Sequence, residues 1–164
     1  MKSIIFFLSV IVALGVSFLL VGFCAPVNQT TEITKEINCS KTDLWSRLTS
    51  IELFAEIKTD VSEVEIIDAD GKKWKEFSSK GSIIEYEIIE EIPGEKLVVK
   101  VFDEKLNLEK KRVYTIFGSN SSSVLSIKEF VTVEKLLLRS TLAIAGNNNS
   151  ITREVNSIAE YANL

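Results

Sequence analysis

The side chains best suited to chemistry lie on two strand-like segments in the C-terminal half of the chain. Arg112 and Tyr114 share one face of the first segment, and Glu129 is in phase with Leu125 and Ile127 on the second. An interior Arg112 could hold a carboxylate or phosphate head group through its planar fork. An interior Glu129 could act as an acid or base, because burial raises the pKa of a carboxyl group. In the alternative interpretation Arg112 is solvated and Glu129 pairs with a neighbour at a strand end.

Three further polar side chains lie in apolar patterns. Tyr86 shares a strand face with Ile84 and Ile88, which predicts that its side chain lies either in the core or in the wall of a cavity. Thr141 and Asn148 fall on an apolar helical stripe and are expected to be buried, so each needs a hydrogen-bond partner. That partner is the polar end of a ligand in one interpretation, and backbone or water in the other. The candidate ligand-binding residues are therefore Tyr86, Arg112, Tyr114, Glu129, Thr141 and Asn148.

Composition excludes several classes of function. The chain has no histidine, which excludes Cys–His and Ser–His–Asp catalysis. Its net charge is −4, and it lacks the basic face that nucleic-acid binding requires. The segment 68–71 begins like a calcium loop, but Ser79 stands where the loop needs a glutamate, so a hairpin turn explains it. We expect no metal, no cofactor and no nucleic-acid partner.

The N-terminus predicts a membrane segment. Residues 4–25 contain no charged side chain, and about 20 apolar residues suffice to cross a bilayer as a helix. A cleaved signal sequence is the alternative, but its apolar core is shorter, and Phe23 lies where a small residue is expected near a cleavage site. We therefore predict a single-pass anchor at residues 1–25, a linker at 26–30 and a folded domain at 31–164. Lys2 before the span places that domain on the extracytoplasmic side.

The elements that must position the candidate residues follow from periodicity. A first strand over 31–39 precedes a helix start at Ser40, and one or two short helices end near Thr59. Six strand-like runs then follow between Val61 and Val131, and their short turns favour antiparallel pairing. The alternation over 107–117 leaves open which of its faces is buried. From about Val133 the period becomes helical, and the Asn-rich segment at 146–150 predicts a kink or a division into two helices.

This order of elements resembles the helix-grip fold of the SRPBCC superfamily, which includes START-type lipid-transfer domains, birch-pollen-allergen-like proteins and polyketide cyclase/dehydrase-like proteins. The likeness is carried by the first strand with Ser40 to Trp45, by the glycine-punctuated hairpins at 71–76 and 81–87, and by the strand 123–129 that ends in a glutamate. The resemblance implies an α+β fold: strand, two short helices, six strands and a long helix, with a curved antiparallel sheet around the long C-terminal helix. It also implies a cavity between the sheet and that helix.

We therefore predict a membrane-anchored protein that binds a lipid or another small hydrophobic ligand. Nothing in the sequence demands an enzyme, and the absence of histidine weakens that class further. Two alternatives remain open: an enzyme of the cyclase or dehydratase type, and a ligand-free interaction module at the membrane surface. The predicted binder and these two alternatives differ in whether the cavity exists and in whether Glu129, Arg112 or Tyr114 contacts a reacting molecule.

Overall fold

The computed structural model describes residues 2–51, 58, 61–118, 121–146 and 149–162. Within these residues there are four helices and seven strands. The helices are α1 (Lys2–Cys24), α2 (Lys41–Thr49), α3 (Leu136–Ala145) and α4 (Asn149–Ala162), and the strands are β1 (Asn28–Ile37), β2 (Val61–Ile66), β3 (Lys73–Ser78), β4 (Ile83–Ile92), β5 (Lys96–Asp103), β6 (Leu108–Gly118) and β7 (Ser123–Thr132).

All seven strands form one curved antiparallel sheet in the order β1-β7-β6-β5-β4-β3-β2. From β2 to β7 each strand pairs with the next one along the chain, as the short turns predicted. At the turn between β2 and β3, Gly71 adopts a φ of 65°, and the Asp68 side chain accepts a hydrogen bond from the Lys73 amide at 2.9 Å. The meander predicted from Val61 to Val131 is therefore confirmed.

The contacts divide the chain into two compact units. One comprises Thr30–Val131 with Asn148–Leu164, and the other comprises Met1–Gln29 with Thr132–Asn147. The first unit contains most of the sheet, α2 and α4. Its core is formed by apolar side chains from the sheet and from one stripe of α4, where Ile151, Val155 and Ile158 are each at most 1% exposed. Helix α4 is thus the helix that the sheet grips.

The second unit pairs α1 with α3. Gly22 of α1 is buried against α3, where a methyl group added at its Cα would lie 2.2 Å from the Ser140 Oγ. At the base of the unit the Val133 amide donates to the Val27 carbonyl at 2.8 Å, and Thr132 Oγ1 donates to Asn28 Oδ1 at 2.9 Å. The segments at 27–28 and 132–133 therefore run side by side at this end of the unit.

Three details differ from the sequence expectations or refine them. β1 begins at Asn28, so that part of the predicted linker is strand. The C-terminal helical region divides into two helices at Gly146, whose φ of 81° no other residue type adopts readily. Helix α2 starts where it was predicted, with Asp43 donating its amide to the Ser40 Oγ at 3.0 Å, whereas Phe54 and the predicted second short helix lie outside the described residues.

Candidate functional site

The register of β6 and β7 brings Arg112 and Glu129 together inside the sheet unit. The two residues are direct partners across the strands, and Arg112 Nε donates to Glu129 Oε2 at 2.7 Å. Lys110 adds a second cation, with its Nζ 3.4 Å from Glu129 Oε1. Glu129 has no exposed surface, so its charge depends on these two partners. The phase predicted for β7 is confirmed, and the buried face of β6 is the one that carries Arg112.

Helix α4 supplies a second carboxylate to the same arginine. Arg112 Nη1 donates to Glu154 Oε2, and the Tyr114 hydroxyl donates to Glu154 Oε1. Arg112 Nη2 donates more weakly to the Ser150 hydroxyl at 3.3 Å. Arg112 and Glu154 are 4% and 7% exposed, so these bonds form away from solvent. The sheet and α4 are therefore joined by an ion pair as well as by apolar packing.

Burial and charge act against each other on these groups. Burial by itself raises the pKa of Glu154, but the Arg112 guanidinium and the Lys58 ammonium outweigh it and hold that pKa below its ordinary value. Burial lowers the pKa of Arg112, but Glu154 and Glu129 reverse this and hold it well above its ordinary value. For Tyr114, burial together with the charge of Glu154 raises the pKa of the phenol well above its ordinary value. At neutral pH the cluster is thus an ionised Arg–Glu system with a neutral tyrosine.

A second charged cluster lies on β3 and β4. Lys58 donates to both carboxylate oxygens of Glu76, at 2.7 and 2.8 Å, and to the Tyr86 hydroxyl at 3.2 Å. Trp74 Nε1 donates to Glu76 Oε1 at 3.2 Å, and the Trp74 and Tyr86 rings stack with centroids 5.0 Å apart. Burial, with the charge of Glu76, raises the pKa of Tyr86 well above its ordinary value. Tyr86 therefore presents a neutral phenol.

The two clusters meet at a cavity of about 440 Å³ between the sheet and α4. Its floor is buried and polar, and consists of Glu76, Tyr86, Arg112 and Glu154. Its walls are half-buried, and they combine apolar and hydroxyl-bearing side chains with one lysine: Lys58, Val61, Ser78, Ile84, Ser150 and Ser157. Its mouth is exposed, with Lys80, Arg153, Asn156 and Glu160 around it.

The structure places the predicted candidates in three different settings. Tyr86 and Arg112 line the cavity, whereas Tyr114 and Glu129 are buried behind the lining, in contact with Glu154 and Arg112. Thr141 is exposed on α3, where its hydroxyl donates to the Leu137 carbonyl at 3.0 Å. The buried position expected for Thr141 is wrong, because the break at Gly146 ends the predicted stripe. Asn148 lies outside the described residues.

The candidate residues predicted from the sequence do not include three that line the cavity, Lys58, Glu76 and Glu154. Two of these three residues have a recognisable sequence pattern around them. Glu76 is two residues from Trp74 on the same strand face, and Glu154 lies one helical turn from Ile151 and Ile158. In both cases a charged residue interrupts an apolar face. Lys58 interrupts no apolar face in the sequence, so only the folded structure shows that it lies beside Glu76.

The described residues contain no group of three or more histidine, cysteine, aspartate or glutamate side chains placed to hold a metal ion. The cavity chemistry is instead that of hydroxyls, carboxylates and basic groups that already bond to one another. Such a floor can offer hydrogen bonds to a neutral polar group, and the apolar side chains of the wall, Val61 and Ile84, can cover hydrocarbon.

Comparison with known proteins supports the fold and goes no further. No family model and no curated protein matches the sequence. Among solved structures, the Zhui aromatase/cyclase from Streptomyces sp. R1128 superposes with a TM-score of 0.71 at 10% identity, over 83% of this chain and 94% of that one. A START superfamily protein from Mycobacterium smegmatis gives 0.67 at 10% identity, over 82% and 97% of the two chains.

A third similar structure is the norcoclaurine synthase of Thalictrum flavum, with a TM-score of 0.65 at 12% identity, over 83% of this chain and 94% of that one. These three proteins share the sheet and the gripped helix, while their identities are too low to transfer an activity. The topology and these superpositions together show that the chain has the helix-grip fold of START-like proteins.

Proposed function

We propose that this protein is a membrane-anchored binder of a small amphipathic molecule, held in the cavity between the sheet and α4. The observation that carries the proposal is the cavity itself, whose volume of about 440 Å³ falls within the range of small-molecule sites, roughly 300–1,000 Å³. A ligand-free interaction module would have a filled core at this position. The cavity therefore favours a binding protein over that alternative.

The charges around the cavity favour a ligand with a neutral polar end. Arg112 is engaged by Glu129 and Glu154, and Lys58 is engaged by Glu76, so each buried cation already has an anionic partner. A carboxylate or phosphate entering beside Arg112 would have to compete with two carboxylates. A hydroxyl, ketone or amide can hydrogen-bond to the floor without disturbing these pairs. This argues against the anionic head group considered for Arg112 from the sequence.

The enzymatic alternative needs a proton donor or acceptor on the cavity floor, where Glu154 is one of two carboxylates. Glu154 lines the cavity, and its lowered pKa makes it a carboxylate at neutral pH and hence a poor proton donor. Both of its oxygens already accept hydrogen bonds, one from Arg112 and one from Tyr114. Glu129, the acid or base considered from the sequence, is not among the residues that line the cavity. These contacts favour binding over catalysis.

Membrane attachment is the second part of the proposal. Ser3–Cys24 is long and apolar enough to cross a bilayer, and its large apolar side chains are exposed. A tether of this kind keeps a hydrophobic binding site near membrane-soluble ligands. With Lys2 before the span, the sheet unit would face the extracytoplasmic side.

A matched pair of α4 variants tests the ligand-binding proposal. Ser157 lines the cavity, whereas Thr152 is exposed on the same helix and does not line it. We expect Ser157→Phe to fill the cavity and to abolish the bound mass seen by native mass spectrometry of the full chain released from detergent. Thr152→Phe should retain that mass. A cavity role is contradicted if both variants keep the ligand, or if gently purified wild-type protein shows no adduct after incubation with membrane extract.

The chemistry of the ligand is tested with two probes of equal chain length, dodecanol and dodecanoate. Because the floor has no unpaired cation, we expect dodecanol to bind at least as tightly as dodecanoate in tryptophan fluorescence titrations, to which Trp74 beside Tyr86 should respond. A strong preference for dodecanoate would show that a cation of the cavity meets the ligand, either Arg112 or Lys58 after exchange of its partner, or Lys80 or Arg153 at the mouth. If the wild type converted either probe to a product and the Glu154→Gln variant did not, that result would favour the enzymatic alternative.

A further inference from the structure

The unit that contains α1 carries a second apolar surface, on α3. This ten-residue helix contains a single charged side chain, Arg139. Leu137 and Ile144 are 62% and 63% exposed, and Ala143 and Ala145 are exposed beside them. Large exposed apolar side chains on a short helix indicate a surface that water does not normally cover.

This surface continues the apolar surface of α1. Gly22 is buried against Leu136 and Ser140, and Phe18, one turn earlier on α1, is half-buried. Close approach at a glycine and a serine is typical of helices that pack inside a bilayer. α3 packs near the end of α1, at Gly22, so it lies next to the segment of α1 that would enter a membrane. An anchor that inserts as far as Gly22 brings α3 to the membrane boundary.

The polar groups of both helices are suited to the same environment. The hydroxyls of Ser17 in α1 and of Ser140 and Thr141 in α3 all donate to the carbonyl four residues earlier, at 2.8, 3.1 and 3.0 Å. Such bonds satisfy a hydroxyl without water, as a lipid environment requires. Arg139, the one charged side chain of α3, is half-buried. A long arginine side chain can keep its guanidinium at the level of the phosphates.

From these observations we infer that α3 is a second membrane-contacting element, which lies in the bilayer interface against the end of α1 with Leu137 and Ile144 in the acyl region. With ten residues it is too short to cross, since a span takes about 20. The inference rests on the membrane attachment proposed above and adds a second point of contact. It commits to lipid as the occupant of this surface.

The test uses the full chain in phosphatidylcholine vesicles that contain a minority of phosphatidylglycerol. Cys24 and Cys39 are free and are first replaced by serine, and single cysteines are then introduced as Leu137→Cys, Ile144→Cys, Leu14→Cys and Asp70→Cys. Each is labelled with an environment-sensitive nitrobenzoxadiazole probe, and lipids carrying acyl-chain nitroxides serve as quenchers. Leu14 lies in the middle of α1, and Asp70 is an exposed turn residue of the sheet unit.

We expect the probes at positions 137 and 144 to emit at shorter wavelength than the probe at 70 and to lose most of their intensity to the quencher, as the probe at 14 does. Quenching at 14 without quenching at 137 and 144 overturns the role of α3 and leaves the anchor intact. Absence of quenching at all three positions overturns both. The two failures are therefore distinguishable.

Discussion

Arg112 shows how this fold accommodates charge in its interior. A buried guanidinium is costly unless its donors are used, and here Nε, Nη1 and Nη2 contact Glu129, Glu154 and Ser150. These three partners come from β7 and from two positions of α4. A buried charge left without any partner typically costs about 3–5 kcal/mol, and the two carboxylates together keep Arg112 from that state. The network therefore ties the gripped helix to one position on the sheet.

Glu154→Gln is the sharpest test of that network. We expect the variant to lower the free energy of unfolding at neutral pH by up to about 3 kcal/mol, because Arg112 loses Glu154 but keeps Glu129 as a partner. The wild-type pKa of Glu154 is below its ordinary value of 4.5, so the unfolded chain takes up this proton first as the pH falls. The contribution of Glu154 is thus present in full above about pH 4.5 and declines as the pH falls from there toward its lowered pKa, so the difference between the two proteins should narrow in acid.

The measurement is urea unfolding of the full chain in detergent micelles, followed by tryptophan fluorescence, from neutral pH to about pH 3. Both tryptophans, Trp45 and Trp74, belong to the sheet unit and report on it. Glu160→Gln is the control, because Glu160 is exposed on the same helix. A constant difference between wild type and Glu154→Gln across the pH range would show that Glu154 is not stabilised as a carboxylate.

The residues also show what sequence can and cannot establish about this site. The phase of β7 is clear because Leu125 and Ile127 alternate with Ser126 and Lys128, and Glu129 follows in the same phase. The face of β6 was undecidable because Val113 and Phe117 make its outer face as apolar as the inner face of Arg112 and Tyr114. Only the partners on β7 and α4 decide the matter. Charge pairing across elements has no local pattern, which is why the full network was not predicted.

At the scale of elements, the break between α3 and α4 determines which side chains face the cavity. The sequence predicts a kink or a division within this helical stripe, and the structure divides it into two helices at Gly146. Residues from Ile151 onward therefore pack on the sheet, whereas Leu137, Thr141 and Ile144 remain exposed. The first helix turns a different pair of residues, Leu136 and Ser140, toward α1, whereas the second packs its stripe on the sheet.

The close contact between α1 and α3 gives a prediction with an internal control. A side chain at Gly22 would meet the Ser140 Oγ at 2.2 Å and the Leu136 carbonyl oxygen at 2.6 Å, whereas nothing lies within 4 Å of such a side chain at Gly15. We expect Gly22→Leu to separate the helices at a cost of about 1–3 kcal/mol, typical of overpacking. Gly15→Leu makes the same change in helix propensity without the clash.

The readout is hydrogen exchange of the peptide that covers Leu136–Ala145, measured by mass spectrometry in micelles. A ten-residue helix that loses its packing partner opens more often, so exchange should accelerate in Gly22→Leu and remain unchanged in Gly15→Leu. Equal protection in both variants would mean that α3 does not depend on α1.

At the scale of the whole molecule, the packing of α3 on α1 bears on whether the N-terminus is retained. A signal sequence leaves the protein after translocation and has no reason to fit the mature chain. Here Gly22 is buried against α3, and removal of α1 would uncover Leu136 and Ser140 along with the apolar side chains already exposed. A soluble protein rarely tolerates an apolar surface of that kind. The contact therefore favours an anchor that stays in place.

The packing of α3 on α1 predicts that the mature protein keeps α1. The full chain, expressed with its own N-terminus and recovered from membranes, should have an intact mass near 18.3 kDa and should resist extraction by alkaline carbonate. Cleavage beside Cys24 or Ala25 would instead shorten the chain by the whole of α1 and release the remainder into the soluble fraction. Gly22→Leu should still give the full mass, because it alters packing and leaves the apolar span intact. A shortened mass in wild type would contradict both the anchor and the role of α3 beside it.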